Sequence, residues 1–162
     1  MSEKLNILVV DDDRRMAHTL SDILIMSGHN AEVATSGEKA LELIEDELFD
    51  CVVSDIKMPG MNGVELHHEI SHRKPGLPVI LMTAYASDNL VRQGLLQGVI
   101  ATMEKPLDIS HLLNFFASLT SFRTIAIVDD DPVFCQTLGA ILEKRSFRVS
   151  IITDPHIQIN QI

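Results

Sequence analysis

Apolar residues fall along this chain in short, unbroken, β-branched runs, separated by longer stretches in which they recur every three or four positions. Ile7-Leu8-Val9-Val10 is the first run, and a strand with no polar face suits a parallel sheet covered on both sides. Met16, Leu20, Ile23 and Leu24 then recur at helical spacing, and Gly28 supplies a stop. The alternation continues with a strand around Glu32-Val33-Ala34. After it comes a helix opened by the capping-box pattern Thr35-Ser36-Gly37-Glu38, with Ala40, Leu41, Ile44 and Leu48 turned inward. Cys51 to Ser54 reads as a third strand and Val64 to Arg73 as a third helix. Val79 to Met82, entered through Pro75-Gly76 and Pro78, is a fourth strand, and a helix runs from about Ser87 to Gln97. Val99 to Met103 is a fifth strand, and a last helix, capped by Asp108, carries Leu112, Leu113, Phe115 and Phe116. This order predicts an α/β fold: an open, doubly wound, five-stranded parallel sheet with helices on both faces.

The pattern then starts again. A shift of 118 places Ile7 on Ile125, Val10 on Val128, Asp11-Asp12-Asp13 on Asp129-Asp130-Asp131, Thr19-Leu20 on Thr137-Leu138, Ile23-Leu24 on Ile141-Leu142 and Thr35 on Thr153, ten identities in 29 ungapped positions. Two unrelated amphipathic segments would not carry the same acidic triplet after a strand, so a second copy of the fold begins near Arg123. Residues 1–121 are expected to form one domain, and residues 122–162 an incomplete second unit of strand, helix and strand. A piece of about 40 residues without disulfides rarely buries enough apolar surface to offset its ordering entropy. Its apolar residues, among them Ile125, Val128, Phe134, Ile141 and Ile151, are therefore expected to pack on the first domain or on another copy of the chain, or else to stay loosely ordered.

Composition narrows the function. With 13 Lys+Arg against 23 Asp+Glu the net charge is −10, which lacks the basic footprint that direct nucleic-acid binding requires. The start of the chain is neither a signal peptide nor a membrane span, so a cytoplasmic protein with no membrane partner is expected. Cys51 and Cys135 are far apart, with no CxxC pattern, and read as idle thiols. His68 and His72 are four apart, the spacing of one helix face, and read as a solvated face rather than a metal site.

Chemistry concentrates where strands end. Ligands of a parallel α/β sheet sit beyond the carboxyl ends of its strands, and there this chain places Asp11 and Asp12, Asp55, Thr83 and Lys105. Three converging carboxylates resist ionisation unless a cation joins them, and hard oxygen donors in that number suit Mg²⁺. A hydroxyl and an ammonium at the same edge complete what phosphoryl transfer onto a carboxylate needs, namely positioning and charge neutralisation.

The stretches Ile7 to Asp13, Val53-Ser-Asp55-Ile-Lys-Met-Pro-Gly-Met-Asn-Gly63, Met82-Thr83-Ala84 and Glu104-Lys105-Pro106 closely resemble the receiver domain of two-component response regulators, over residues 5 to about 119. The resemblance implies a flavodoxin-like receiver fold and a phosphoacceptor, not an enzyme: its phosphotransfer and dephosphorylation are only self-assisted. It makes Asp55 the phosphorylated residue, Asp12 a direct Mg²⁺ ligand, Asp11 a ligand through water, and the Lys57 backbone carbonyl a further ligand. Thr83 and Lys105 would bind phosphoryl oxygens, and a cis Lys105-Pro106 bond would aim the ammonium inward. The donor would be a sensor histidine kinase or a histidine phosphotransfer protein, and self-association is possible. Lys57 and Tyr85 stand where the family tunes phosphoryl lifetime, and Thr102 stands where it usually has an aromatic ring for readout. Two other readings remain. A phosphatase of the haloacid dehalogenase type would use Asp11 as nucleophile and Asp13 as acid/base; a docking module would work without phosphorylation.

Overall fold

The computed structural model describes residues 4–85, 87, 89–121, 124–143 and 148–153; the expected start of the second unit near Arg123 and its stretch beyond Thr153 fall outside them. The chain divides into two compact units, Lys4–Asp108 and Ile109–Ile162.

In the first unit the alternation becomes β1 (Asn6–Val10), α1 (Arg14–Met26), β2 (Asn30–Ala34), α2 (Gly37–Asp46), β3 (Cys51–Asp55), α3 (Gly63–Arg73), β4 (Val79–Thr83), α4 (Asn89–Leu96) and β5 (Ala101–Glu104). The sheet runs β2-β1-β3-β4-β5, and every pairing is parallel. The strand order reverses at β1, which opens a crevice between the carboxyl ends of β1 and β3. Leu8, Val10, Val52 and Leu81 join Ile44, Leu66 and Ile70 in one buried cluster. Ile7, Val9, Val53 and Ile80, which point to the opposite face by the period of two, are equally buried. The central strands β1, β3 and β4 are thus buried on both faces, as their unbroken apolar runs require, while the edge strand β2 exposes Asn30 and Glu32.

Local chemistry sets the helix ends. Asp13 caps α1 by accepting from the Arg15 and Met16 N–H groups at 2.9 and 3.3 Å, and Gly28, at φ 95°, follows its end in the left-handed conformation. The capping box expected at Thr35–Glu38 is not formed: Ser36 caps α2, and Glu38 instead accepts the Met61 N–H at 3.3 Å. The reciprocal box belongs to α3, where Asn62 and Glu65 satisfy each other's backbone groups. Leu48, expected inward, lies beyond the end of α2 and is 83% exposed. The fifth strand starts at Ala101 rather than Val99, which is nonetheless buried.

In the second unit, α5 (Ile109–Ser121) precedes β6 (Thr124–Val128), α6 (Pro132–Glu143) and β7 (Arg148–Ile152). β6 and β7 pair in parallel, from Thr124↔Arg148 to Val128↔Ile152. Shifted by 118, the bounds and register of β1 and β2 are those of β6 and β7. The acidic turn repeats as well. Asp131 N–H donates to Asp129 Oδ1 at 2.9 Å, as Asp13 N–H does to Asp11 Oδ1. Asp131 Oδ1 then accepts from Val133 and Phe134, as Asp13 does from Arg15 and Met16. Cys51 and Cys135 are buried free thiols, and burial pushes both pKa values up, so neither is a ready nucleophile.

Two histidines are held below the ordinary imidazole pKa. His29 Nδ1 accepts the Leu5 N–H at 3.3 Å, a role the protonated ring cannot fill. His67 is 6% exposed, and its Nδ1 has no hydrogen-bond partner. Burial lowers the pKa of each, with His68 adding to the effect at His67. Below the ordinary value of about 6.5 the unfolded chain binds protons that the folded chain refuses. Thermal stability should therefore fall as pH drops through that value, and His67→Leu should flatten the slope; melting curves between neutral and mildly acidic pH check this.

Candidate functional site

The crevice at the β1–β3 switch point collects the residues singled out by the sequence. Asp11 directly follows β1 and is 2% exposed. Its Oδ1 accepts the Asp13 N–H, which fixes the carboxylate against the start of α1. Asp12 is exposed and Asp55, the last residue of β3, is half-buried. One carboxylate oxygen from each of Asp11, Asp12 and Asp55 lies within 4.8 Å of the others. No other such group of three acidic, histidine or cysteine side chains occurs among the described residues; His68 and His72 are both exposed, their rings tilted by 60° with centroids 4.5 Å apart.

Lys105 comes from the end of β5. Its Nζ lies 2.8 Å from Asp11 Oδ2 and 3.2 Å from Asp55 Oδ2. The peptide bond that follows, Lys105-Pro106, is cis. Burial pushes the Asp55 pKa above the usual carboxylate range; Lys105 opposes that rise and Asp11 adds to it. Burial would by itself lower the Lys105 pKa, but the hydrogen bond to Asp11 and the charge of Asp55 outweigh it, and the ammonium is held above its ordinary value. One cation against three close carboxylates leaves the site short of positive charge.

Thr83 ends β4 and is 4% exposed. Its hydroxyl donates to the Tyr85 carbonyl and accepts the Tyr85 N–H, each at 3.0 Å, so it is engaged in its own loop rather than with Asp55. Lys57 is exposed, and its Nζ stands 5.8 Å from the Tyr85 ring centre, joining the two positions expected to tune the site. Thr102, half-buried on β5, pairs with Leu81 of β4.

Gly63 closes the receiver-like stretch quoted above, but the sequence gives it no role of its own. A Cβ there would sit 2.3 Å from the Asp55 carbonyl oxygen, and the Gly63 N–H donates to Ile56 O at 2.9 Å. The start of α3 thus lies directly on the end of β3. Only the glycine in the Met-Pro-Gly-Met-Asn-Gly turn signals it in sequence, and its reason is a close approach rather than a positive φ.

The family model of the response regulator receiver domain matches residues 7–117. The chain belongs to the response regulator receiver family. The response regulator protein FleR of Pseudomonas aeruginosa is 35% identical over 144 residues, which are 89% of this chain and 30% of FleR. A receiver protein of Anaeromyxobacter is 32% identical over 140 residues, 86% of this chain and 59% of that protein. The chain thus spans less than two-thirds of the length of each of these curated relatives. Among solved structures, the receiver protein TrrA of Thermotoga maritima, in complex with Mg²⁺-BeF, is 31% identical at a TM-score of 0.62, covering 72% of this chain and 99% of TrrA. A CheY-like receiver of Methanospirillum hungatei is 33% identical at a TM-score of 0.67, covering 72% and 93%.

Receiver membership makes this a signalling phosphoacceptor domain and removes the phosphatase alternative. The geometry agrees. Both Asp11 oxygens are engaged, by the Asp13 N–H and by Lys105, and Asp13, the supposed acid/base, is the α1 cap. The family match ends at residue 117, so β6, α6 and β7 stand as an additional strand-helix-strand unit. No described helix is long and apolar enough to cross a membrane.

Proposed function

We propose that Asp55 is the phosphoacceptor of this receiver. Its donor is a sensor histidine kinase or a histidine phosphotransfer protein, and its product is a conformational signal. The observation that carries this reading is the Lys105 ammonium standing between Asp11 and Asp55, beside the carboxylates of Asp11, Asp12 and Asp55. That donor set fits Mg²⁺: all-oxygen, anionic, and deficient in positive charge. Asp12 and Asp55 would hold the ion directly, Asp11 through water, with the Lys57 carbonyl as a further ligand. When bound, the ion neutralises charge on the transferring phosphoryl group.

An Asp55 oxygen attacks phosphorus, the P–N bond to the donor imidazole breaks, and the imidazole keeps the electron pair. Lys105 moves from two carboxylates towards the new phosphoryl oxygens. Thr83 can donate to one of those oxygens only by releasing the Tyr85 carbonyl, so the loop from 83 to 85 must rearrange. Lys57 and Tyr85, paired at the edge of the site, would set the lifetime of the modified state. The lack of a ring at Thr102 would concentrate the change in the Thr83–Tyr85 loop. Residues 122–162 are read as the beginning of a second receiver-like unit, supported by the register and acidic turn shared at a shift of 118. It carries the acidic pair Asp129 and Asp130 where the first unit has Asp11 and Asp12.

Incubation with a small phosphodonor and Mg²⁺ should add one phosphoryl group by intact mass. Asp55→Asn should reduce labelling to background, a loss of more than about 100-fold in rate. Full labelling of that variant would overturn the assignment.

A further inference from the structure

We infer that Glu38, in the first turn of α2, is a positioning residue for the metal site: it ties down the loop between β3 and α3 and so sets how firmly that loop holds Lys57. This deepens the phosphoacceptor reading and rests on it for one point, that the Lys57 carbonyl is a Mg²⁺ ligand. Glu38 itself stands outside the carboxylate group of Asp11, Asp12 and Asp55. The helix cap that its sequence spacing suggests is made by Ser36 instead, which leaves the Glu38 carboxylate for another partner.

The loop covers residues 56–62, between the end of β3 at Asp55 and the start of α3 at Gly63. Its ends are held by their backbone groups. Ile56 N–H donates to Met82 O at 3.0 Å, Ile56 O accepts the Gly63 N–H at 2.9 Å, and Asn62 N–H donates to Glu65 Oε2 at 2.9 Å. Between these ends the chain passes through Pro59 and Gly60, the latter at φ 75°, and meets the first turn of α2 at two contacts. Glu38 Oε1 accepts the Met61 N–H at 3.3 Å and lies 3.2 Å from where a Cβ on Gly60 would stand, so the carboxylate rests against the backbone of both residues. Gly37 receives the Met61 side chain: a Cβ there would be 2.9 Å from Met61 Cβ and from its Sδ.

A backbone carbonyl has no rotamer of its own; the dihedral angles on either side of its planar peptide aim it. Ile56 and Met58 are buried and anchor the inner side of the loop on the core, whereas Pro59 and Gly60 are exposed and are the part left to α2. A loop that moved there would hold its ligand in place for only a fraction of the time, and the apparent affinity would fall by that fraction. Glu38 suits the task. Its own backbone N–H, the Ser36 hydroxyl and the Met61 N–H all favour the ionised carboxylate and hold its pKa below the usual range, and a charged acceptor makes a stronger bond than a neutral one.

Titration of the full chain with Mg²⁺, followed by amide NMR without any phosphodonor, tests this. Glu38→Ala should raise the Mg²⁺ dissociation constant about fivefold, the worth of one such hydrogen bond, and should speed exchange of the Met61 amide in the metal-free protein. Glu38→Gln loses the charge but keeps an acceptor oxygen in the same place, so it should stay within about twofold of wild type and retain the Met61 protection. With a small phosphodonor, Glu38→Ala should need more Mg²⁺ for half-maximal uptake yet reach the wild-type rate at saturation, because Asp55, Thr83 and Lys105 are untouched. Wild-type affinity in Glu38→Ala overturns the proposal. So does an equal loss in Glu38→Gln, which would make the effect one of charge alone, or an uptake rate that stays low in saturating Mg²⁺, which would make it a loss of structure. A wild type whose Asp12 and Asp55 signals do not respond to Mg²⁺ overturns the metal reading itself and this proposal with it, an outcome distinct from a failure of the Glu38 tie alone.

Discussion

Gly63→Ala should destabilise the protein by about 3 kcal/mol, which for a chain of this size lowers the melting temperature by about 6–12 °C. The added methyl would lie 2.3 Å from Asp55 O and 3.1 Å from both Asp55 C and Ile56 Cα. These are backbone atoms at the end of a central strand, so no side-chain rotation relieves the clash. Either α3 lifts away, losing the Gly63 N–H bond to Ile56 O, or the end of β3 shifts and carries the Asp55 carboxylate with it. Both routes couple stability to the site, so the rate of phosphoryl uptake should fall with the melting temperature. Gly76→Ala is the control: that position has φ 89° and nothing within 4 Å of the added carbon, so it pays only the backbone strain, about 1 kcal/mol, and should leave uptake unchanged. Equal melting temperatures for Gly63→Ala and wild type would show that the close approach is not rigid.

How much of this was legible in the sequence follows from which interactions are local. Strand ends were legible because the apolar runs stop where the acidic and hydroxyl residues begin, and in a parallel sheet every such stop lies on one edge. That is why Asp11, Asp55, Thr83 and Lys105 could be placed together from residue types alone. The pairing of Lys105 with Asp11 rather than with Asp55 alone was not legible. It spans 94 positions and is decided by which carboxylate lies deeper. The same holds for Glu38, whose spacing from Thr35 suggested a cap, while its actual partner is the Met61 N–H, 23 positions away. Leu48 was misplaced because helical periodicity says which face a residue would take, not where the helix ends. The repeat was legible as identities, and β6 and β7 share the register of β1 and β2 at the same shift, while the family match covers one receiver only, over residues 7–117.

Lys105→Met should expose how strongly the site depends on one cation. Asp11 is 2% exposed, and its Oδ2 is 2.8 Å from the ammonium. With the charge removed, that carboxylate is left buried beside Asp55 and Asp12, all within 4.8 Å. Losing one partner of a buried pair costs on the order of 3 kcal/mol, because the remaining charge is neither solvated nor matched. The sign of the pH response follows from Asp55, already above its usual range with Lys105 holding it down. Removing Lys105 raises the folded-state carboxyl pKa further, so the folded variant binds protons more readily than its unfolded chain. The loss of stability should be largest near neutral pH and should shrink as pH falls through the carboxylate range. A second cation should substitute in part. Millimolar Mg²⁺ should raise the melting temperature of Lys105→Met by more than that of wild type, since binding to the folded state alone stabilises it. Phosphoryl uptake should nevertheless stay low, because the ion would compensate the carboxylates without supplying the donor that Lys105 brings to the phosphoryl oxygens. Melting curves of both proteins at two pH values, with and without Mg²⁺, decide the matter. If Lys105→Met proved as stable as wild type at neutral pH without metal, the Asp11–Lys105–Asp55 arrangement would carry no energetic weight.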